Sequence, residues 1–315
     1  MKILDNDIEV DVIGFGALNM DKLYKVEAIA CKDQESFIKS QKDTPGGSAA
    51  NTIIGLSKLN RKTSMIGKIA EDEDGEVIEI NLAYNGVYTN NLIYSSEGNT
   101  GKALCFVDKQ GNRAIYVDAG VNDEIKISEI NPRNVNVTKI IHYSSFVGES
   151  FKTQIELLDD LKEDIILSFD PGMLYYEKVL DEIRPILDRT NILLINEAEL
   201  KILYKRLGDL SIKEIAKQLI ESGIETVVVK KGSKGVFAMN SNEECDVKAF
   251  ESEVVDTTGA GDSFNAGFLY GMLNNFNLKE SCILGNFTAS KAIEGKGMEK
   301  FPKEEDLKEL IDSWR

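Results

Sequence analysis

A glycine-rich stretch near the carboxyl end of the chain carries an acidic side chain that could take part in chemistry. It runs Val254-Val-Asp-Thr-Thr-Gly-Ala-Gly-Asp-Ser-Phe-Asn-Ala-Gly-Phe-Leu and passes into an apolar helical pattern. Glycines permit a turn that points several backbone N–H groups at one spot, and a helix that begins there adds its positive amino-terminal end. The N–H groups of Gly259, Ala260 and Gly261 are therefore predicted to form an anion hole.

Asp262 lies among these donors and is predicted to be a catalytic base. A carboxylate beside donors that face a phosphate is electrostatically costly unless it has a chemical role. Removing the proton from a substrate hydroxyl is that role in phosphoryl transfer. The alternative is an ordinary glycine-rich turn in which Asp262 caps the helix. The length of the motif and the apolar helix after it favour the functional interpretation.

The composition excludes several other classes of site. His142 is the only histidine in 315 residues and lies in the apolar run Ile140-Ile-His-Tyr143, which predicts a core position. A multi-histidine metal site is therefore excluded, and His142 is the only histidine that could activate a serine or cysteine nucleophile. The formal net charge of −16 argues against nucleic acid or an anionic membrane as the partner.

The cysteines and the hydropathy pattern indicate a cytosolic protein. Cys31, Cys105, Cys245 and Cys282 are scattered without a Cys-x-x-Cys pair, so the pattern predicts neither a zinc site nor a disulfide framework. No segment approaches the ~20 continuous apolar residues of a membrane span, and the first residues lack the apolar run of a signal peptide.

An alternating series of strands and helices is expected to position these groups. Val10–Gly14 is typical of a buried strand, Ser48–Leu59 has helical spacing, and from about residue 138 strands and helices alternate. Such alternation implies a parallel sheet with helices on both faces. Ligands of these sheets lie beyond the carboxyl ends of the strands. The residues predicted at those ends are Gly14, Asp170, Asn196 and Gly232.

Two excursions from this pattern, at about residues 20–44 and 90–120, predict a small sheet. Strand-like stretches on either side of the turn Asp108–Asn112 favour a hairpin. No linker, internal repeat or low-complexity tract divides the chain. The prediction is a single α/β domain over residues 1–315, with a doubly wound parallel sheet and a small inserted β-sheet lid.

The stretch around Asp262 resembles the carboxyl-terminal signature of the ribokinase-like (PfkB) carbohydrate kinases, which include fructokinases, 2-keto-3-deoxygluconate kinases and adenosine-type nucleoside kinases. The resemblance extends over essentially the whole chain. Gly16-Ala-Leu-Asn-Met-Asp21 is similar to a first-strand turn that holds sugar hydroxyls, and Gly46-Gly-Ser-Ala-Ala-Asn51 to the amino-terminal substrate signature. The resemblance implies an ATP-dependent kinase that uses Mg²⁺ and has a hydroxyl group as the phosphoryl acceptor.

For the acceptor, the resemblance implies contacts from Asn19, Asp21, Gly46, Gly47 and Asn51. Amides and carboxylates fix a polyol through paired hydrogen bonds, and glycines let the backbone come close. The alternatives are a simple turn at Asn19 and Asp21 and a helix entry at the two glycines. Arg113 also matches a position where several members place an arginine over the substrate, and an exposed hairpin arginine is an equal alternative.

For the nucleotide, the resemblance implies two further elements. Asn196-Glu-Ala-Glu199 is similar to an Asn-x-x-Glu element that organises Mg²⁺ and phosphate largely through water, or it caps a helix. Lys230-Lys-Gly232-Ser-Lys-Gly235 is similar to a Thr-x-Gly-x-x-Gly turn beside the nucleotide. Lys230 replaces the usual threonine, so a charge would stand in place of a hydroxyl contact.

Three more positions match the family. Asn286 falls where members line the adenine pocket, with helix packing as an equal alternative. Asp256 and Thr258 match positions that many members use near a monovalent cation, so the resemblance allows K⁺.

The identity of the acceptor stays open at the level of sequence. Ser48 stands where ribokinases typically carry lysine, and Ser144-Ser-Phe-Val-Gly148 lacks their substrate-binding glutamate. The motifs resemble the archaeal nucleoside kinases of the family at least as much, so a sugar-type acceptor and a nucleoside are both retained. A homodimer formed through the lid is also predicted, because a small sheet has free edges and a free face.

Two rival classes complete the hypotheses. A dinucleotide-dependent oxidoreductase needs Gly-x-Gly-x-x-Gly after the first strand, and Gly14-Phe-Gly-Ala-Leu-Asn19 departs at the third glycine. A catalytically inactive sugar- or nucleoside-binding protein would keep the fold and lose the chemistry. Retention of Asp262 and all three anion-hole positions argues against it.

Overall fold

The computed structural model describes residues 9–173, 175, 180–203 and 210–314. Within these ranges a nine-stranded sheet and a four-stranded sheet form the framework. The strands are β1 Val10–Phe15, β2 Asn19–Val26, β3 Ile38–Gly46, β4 Thr63–Ala70, β5 Leu92–Ser95, β6 Gly101–Val107, β7 Arg113–Asp118, β8 Thr138–Ser144, β9 Ile166–Asp170, β10 Ile192–Asn196, β11 Thr226–Lys230, β12 Val236–Asn240 and β13 Glu244–Val247.

The helices follow the strands in the order expected for an α/β protein. They are α1 Ser48–Lys58, α2 Glu73–Tyr84, α3 Pro132–Val135, α4 Gly148–Leu157, α5 Leu180–Arg189, α6 Glu197–Leu203, α7 Ile212–Glu221, α8 Ala260–Leu273, α9 Leu278–Ala292 and α10 Glu304–Asp312. The helix predicted from Tyr175 corresponds to α5, and residues 176–179 of that prediction lie outside the described ranges.

The large sheet has the order β13-β12-β11-β10-β9-β8-β1-β4-β5. Strands from β11 to β5 in this order pair in parallel, and β12 and β13 pair antiparallel at one edge. Side chains alternate between two apolar cores along β1, with Val12 in one core and Ile13 and Phe15 in the other. The doubly wound α/β prediction is therefore confirmed.

The small sheet has the order β3-β2-β6-β7 and is formed by the two excursions. β6 and β7 pair antiparallel on either side of the predicted turn, which confirms the hairpin. β5, at the start of the second excursion, instead pairs in parallel with β4 at the edge of the large sheet. Leu92 on β5 is buried in the main core, so its burial joins this stretch to the large sheet.

His142 lies on β8 and is completely buried, which confirms its predicted core position. Its Nδ1 is 3.0 Å from the Ser168 hydroxyl oxygen, and burial lowers the pKa of His142 to about 4. The side chain is therefore neutral at physiological pH and serves as packing. Across the described ranges, every helix is too short or too polar to span a membrane.

Candidate active site

The glycine-rich turn leads directly into α8. Gly259 has a φ of 75°, in the left-handed region that favours glycine, and precedes the first helical residue, Ala260. The N–H of Ala260 donates to the Thr257 carbonyl at 3.2 Å. The N–H groups of Gly259, Gly261 and Asp262 have no acceptor among the described residues. Two of the three predicted donors are therefore open, and the Asp262 N–H joins them.

Asp262 lies in the first turn of α8 and is held by two side chains of α1. Ser48 Oγ donates to Asp262 Oδ1 at 2.7 Å, and Asn51 Nδ2 donates to Asp262 Oδ2 at 2.9 Å. Each carboxylate oxygen thus has one donor from the glycine signature Gly46–Asn51, which runs into the first turn of α1. The prediction placed Asn51 on the substrate, whereas in this structure its amide contacts Asp262. Ser48 was not among the predicted site residues, although it lies inside a motif that was recognised.

Burial raises the pKa of Asp262 to about 6, and the negative charge of Asp170 acts in the same direction. The hydrogen bonds from Asn51 and Ser48 and the positive charge of Lys230 oppose this rise. The carboxylate is consequently ionised near neutral pH but more basic than an ordinary aspartate. A pKa just below neutrality suits a group that must accept a proton during the reaction.

Asn19 and Asp21 begin β2 and face the end of β3. Asn19 is in register with Gly46, and a Cβ added to Gly46 would lie 2.2 Å from Asp21 Oδ2. Gly46 is thus required for the Asp21 carboxylate to occupy its position. Burial, followed by the negative charge of Asp262, raises the pKa of Asp21 to about 6. Gly47 has a φ of 124° and passes close to the Ala17 carbonyl, as the glycine motif anticipated.

Asn122 is a buried residue of this region that sequence reasoning missed. Its Nδ2 donates to the Leu18 carbonyl and to Asn19 Oδ1, both at 2.9 Å, and its Oδ1 accepts the Leu18 N–H at 2.9 Å. Asn122 therefore fixes the orientation of the Asn19 amide. It lies more than a hundred residues from these partners, and no spacing in the sequence pointed to it.

Arg113 is separated from the other acceptor-side residues. It begins β7 opposite Val107 and is exposed. Within the described ranges it makes no hydrogen bond or ion pair with Asn19, Asp21 or Asn51.

The nucleotide-side residues meet at the carboxyl ends of β9, β10 and β11. Lys230 Nζ lies 2.6 Å from Asp170 Oδ2 and donates to Asn265 Oδ1 at 3.2 Å. Asn265 Nδ2 donates to the same Asp170 oxygen at 2.6 Å. Burial would raise the pKa of Asp170, but the charge and hydrogen bond of Lys230 hold it below its ordinary value.

Asn196 and Glu199 form a reciprocal cap at the start of α6. The Glu199 N–H donates to Asn196 Oδ1 at 2.8 Å, and the Asn196 N–H donates to Glu199 Oε2 at 3.0 Å. Burial and the charge of Asp170 raise the pKa of Glu199. The capping interpretation is therefore observed, and Glu199 Oε1 has no hydrogen-bond donor among the described residues.

The turn after β11 and Asn286 in the middle of α9 give two different outcomes. Gly232 and Gly235 have φ values of 57° and 92°, and Gly235 packs against the backbone after β13. Asn286 Nδ2 donates to the carbonyls of Val247 and Lys248 at 3.2 and 3.0 Å. The Asn286 amide group thus ties α9 to the segment after β13, which is the helix-packing alternative.

The remaining candidate ligands lie just before the anion hole. Asp256 Oδ1 accepts the Thr258 N–H at 2.9 Å and forms a local turn. No cluster of three or more His, Cys, Asp or Glu side chains could hold a metal ion in the described part of the chain. Direct coordination by a protein cage is thus not observed there.

Comparisons with known proteins agree over nearly the whole chain. A model of the pfkB family carbohydrate kinases matches residues 10–305. An uncharacterized sugar kinase of Archaeoglobus fulgidus is 41% identical over 248 residues, which are 78% of this chain and 96% of that protein. A nucleoside kinase of Methanocaldococcus jannaschii is 29% identical over 290 residues, which are 92% of this chain and 91% of that protein.

Solved structures give the same picture. A ribokinase from Thermotoga maritima superimposes with a TM-score of 0.86 at 26% identity, over 96% of this chain and 99% of that chain. The Methanocaldococcus jannaschii nucleoside kinase superimposes with a TM-score of 0.84 at 26% identity, over 97% and 99% of the two chains.

Proposed function

This chain belongs to the pfkB family of carbohydrate kinases, and we propose that Asp262 is the base with which it transfers the γ-phosphoryl group of ATP to a hydroxyl of a sugar or related small molecule. The family resemblance read from the motifs is confirmed. The chain is a phosphotransferase with an alcohol group as acceptor.

The observation that carries the proposal is the position of the Asp262 carboxylate. Hydrogen bonds from Ser48 and Asn51 fix it at the first turn of α8, where the N–H groups of Gly261 and Asp262 are open. A proton acceptor and anion donors therefore share one helix end. This combination serves a reaction in which a hydroxyl loses its proton while negative charge moves onto phosphoryl oxygens.

The reaction follows from this arrangement. Asp262 accepts the proton of the acceptor hydroxyl while the oxygen of that hydroxyl forms a bond to the γ-phosphorus. The bond between the γ-phosphorus and the oxygen that bridges it to the β-phosphorus breaks, and ADP leaves with those electrons. The open N–H groups of Gly259 and Gly261 donate to the transferred group, so positioning and charge neutralisation supply most of the acceleration.

The strand ends fit ATP and Mg²⁺. Lys230, Gly232 and Gly235 offer a charge and close backbone approach to a triphosphate. Glu199, which is buried, and Asn196, which is partly buried, offer oxygen atoms of the kind that Mg²⁺ contacts through its water shell. When bound, Mg²⁺ would neutralise negative charge on the phosphoryl oxygens of ATP. We assign Asn286 to the edge of the nucleotide site through the backbone that it holds.

On the acceptor side we assign hydroxyl contacts to Asn19, Asp21 and Asn51, with Gly46 and Gly47 allowing close approach. The support is the joint position of these residues beside Asp262. Asn122 orients the Asn19 amide toward the acceptor. Arg113 is retained as a substrate contact. This contact requires the small sheet, predicted from about residues 20–44 and 90–120, to act as a lid over the acceptor.

A nucleoside is the second candidate acceptor, and the small sheet favours it. Val117 is in register with Ala103 and Asp21, so these three lie on one face. Ile115, on the same face, is 59% exposed, and Val117 is 54% exposed. A face that pairs one carboxylate with exposed apolar side chains suits a ring as well as hydroxyl groups. The similarity to a nucleoside kinase points the same way.

A coupled ADP-release assay tests the function over pentoses, hexoses, 2-keto-3-deoxy acids and ribonucleosides. Turnover with one class identifies the acceptor, and Asp262→Asn should lower kcat by about a thousandfold with ATP affinity nearly intact. Wild-type protein that releases no ADP with any acceptor would favour the inactive binding protein. Near-normal turnover of Asp262→Asn would contradict the assignment of Asp262 as the base.

A monovalent cation is proposed at Asp256 and Thr258, before the anion hole. The support is their match to the family and the turn that Asp256 forms with the Thr258 N–H. Activity measured in K⁺ and in tetramethylammonium salts at equal ionic strength tests this. Equal rates in the two salts would show that activity does not depend on K⁺ and would contradict this proposal.

We further propose a homodimer formed through the small sheet. Its outer strands β3 and β7 have no further strand beside them in the described part of the chain, and Ile38 and Tyr116 on them are exposed. Light scattering measured during size-exclusion chromatography should give twice the 35.0 kDa chain mass, and a monomer would contradict the proposal.

A cytosolic location is also proposed, because the four cysteines are free thiols, as is typical of reducing compartments.

A further inference from the structure

A buried ion pair joins the ends of two strands of the large sheet. Asp170 ends β9, Lys230 ends β11, and β10 lies between them. The side chains are only 8% and 13% exposed, and their charged atoms are 2.6 Å apart. Breaking such a pair from one side is costly, whereas an apolar pair of similar size is often as stable. Stability alone therefore does not explain why charges occupy this position.

The Lys230 ammonium also faces the first two turns of α8. Asn265 Oδ1 accepts from Lys230 Nζ, and a Cβ added to Gly261 would lie 3.6 Å from that nitrogen. The ammonium thus lies beside the anion hole. Asp262 directs both of its carboxylate oxygens toward α1, so it is not the ion-pair partner of Lys230.

This placement is electrostatically unfavourable unless an anion is present. A helix amino terminus carries partial positive charge, and a cation beside it is repelled. Asp170 offsets only part of that repulsion, because its Oδ2 is shared between Lys230 and Asn265. A phosphoryl group at the open N–H groups of Gly259 and Gly261 would accept hydrogen bonds from these N–H groups and from the Lys230 ammonium at the same time.

We propose that Lys230 contacts the transferred phosphoryl group and that Asp170 and Asn265 are positioning residues that hold its ammonium there. The inference rests on the proposed function of this site and adds two residues to it. Asp170 Oδ2 accepts from both Lys230 and Asn265, so the three groups form a closed triangle at the base of the anion hole. The triangle fixes the ammonium before ATP binds, which limits the reorganisation needed during transfer.

His142 and Glu199 are the other titratable groups near this triangle. His142 is neutral, because burial lowers its pKa to about 4, and its Nδ1 faces Ser168. Glu199 is engaged in the cap with Asn196. Neither replaces Asp170 as the anion that directly contacts Lys230.

Kinetics of single and double variants test the proposal with ATP and the best acceptor of the panel described above. Lys230→Met should lower kcat by about a hundredfold, the loss expected for one electrostatic contact to the transition state, with the acceptor KM unchanged. Asp170→Asn should lower kcat by about tenfold. Lys230→Arg should retain more activity than Lys230→Met, because the positive charge remains.

The double variant Asp170→Asn with Lys230→Met separates positioning from an independent role. If Asp170 acts through Lys230, the double variant is no slower than Lys230→Met, because nothing remains to be positioned. Losses that multiply in the double variant would overturn the proposal. The double variant removes both charges, so it should also unfold at a higher temperature than Asp170→Asn, which leaves an unpaired lysine.

Lys139→Met is the matched control. Lys139 and Asp11 form an ion pair of 2.8 Å at the starts of β8 and β1, at the opposite ends of the strands from Lys230. This variant should keep wild-type kcat. Normal kcat in Lys230→Met, with active wild-type protein and an inactive Asp262→Asn, would reject this inference and leave the proposed function standing. Wild-type protein inactive with every acceptor would instead reject the proposed function.

Discussion

Asn51 Nδ2 donates to Asp262 Oδ2 over 2.9 Å, which joins two glycine-rich motifs 211 residues apart. The first motif enters α1 and the second enters α8. Their junction brings the residues of β2 and β3 that are predicted to hold the acceptor near the carboxylate that borders the open N–H groups of the turn before α8. Asp262 therefore lies where the predicted acceptor side and the predicted nucleotide side meet.

Ser48→Ala should slow the reaction without preventing folding. The variant removes the 2.7 Å hydrogen bond to Asp262 Oδ1, which favours the ionised carboxylate. A hydrogen bond to a charged group contributes about 1.5–3 kcal/mol, so kcat should fall by roughly ten- to a hundredfold. Ser48→Thr keeps a hydroxyl and serves as the control. Equal kcat for wild type and Ser48→Ala would show that Asn51 alone holds the base.

The pH profile of kcat/KM should have an acidic limb near pH 6. A base must be ionised to accept a proton, and burial raises the pKa of Asp262 to about 6. The rate should therefore fall about tenfold per pH unit below that value and stay level above it. In Ser48→Ala the limb should move to higher pH, because one interaction that favours the charged form is gone. A limb near pH 4 in the wild type would contradict the assignment.

The sequence patterns predicted the elements around Asp262 better than the contacts between those elements. The strand β1, the helix α1 and the turn before α8 each have a local signal: an apolar run, helical spacing or closely spaced glycines. Asp262 was predicted from such a signal. Its partner Ser48 was visible in the motif, but the hydrogen bond between them depends on packing of α1 against α8, which local patterns do not specify.

Long-range polar contacts explain most of what was missed. Asn122 and Asn19 are separated by 103 positions, and Lys230 and Asp170 by 60. Each pair becomes adjacent only once the sheet order is fixed. β5 was assigned to an excursion because four residues give too little periodicity to separate the edge of the large sheet from a small sheet.

Gly46→Ala should impair acceptor binding selectively. The new Cβ would come 2.2 Å from Asp21 Oδ2, so the Asp21 side chain must move, while the backbone of β3 can stay in place. The acceptor KM should rise at least tenfold, which corresponds to about 1.4 kcal/mol, and the ATP KM should stay near wild type. Steady-state kinetics with each substrate varied in turn gives both constants. Equal increases in the two KM values would indicate general distortion instead of a local effect on Asp21.

Glu304→Ala should destabilise the fold away from the active site. Glu304 begins α10, is 8% exposed, and accepts from Asn60, Arg61, Tyr270 and Lys308 at 2.8–3.2 Å. Removing it leaves several donors unpaired, so the free energy of unfolding should fall by about 2 kcal/mol. Glu305→Ala, at the next and exposed position of the same helix, should change it little.

The same glutamate should contribute to acid sensitivity. Hydrogen bonds from Lys308 and Asn60 lower the pKa of Glu304 from its ordinary value of 4.5 to about 2. A carboxyl group with a lowered folded-state pKa stabilises the fold above its unfolded-state pKa and loses that contribution as pH falls. The stability difference between wild type and Glu304→Ala should thus be largest above pH 5 and shrink between about pH 4.5 and 2. Denaturant unfolding across that range measures it, and a difference independent of pH would assign the effect to packing.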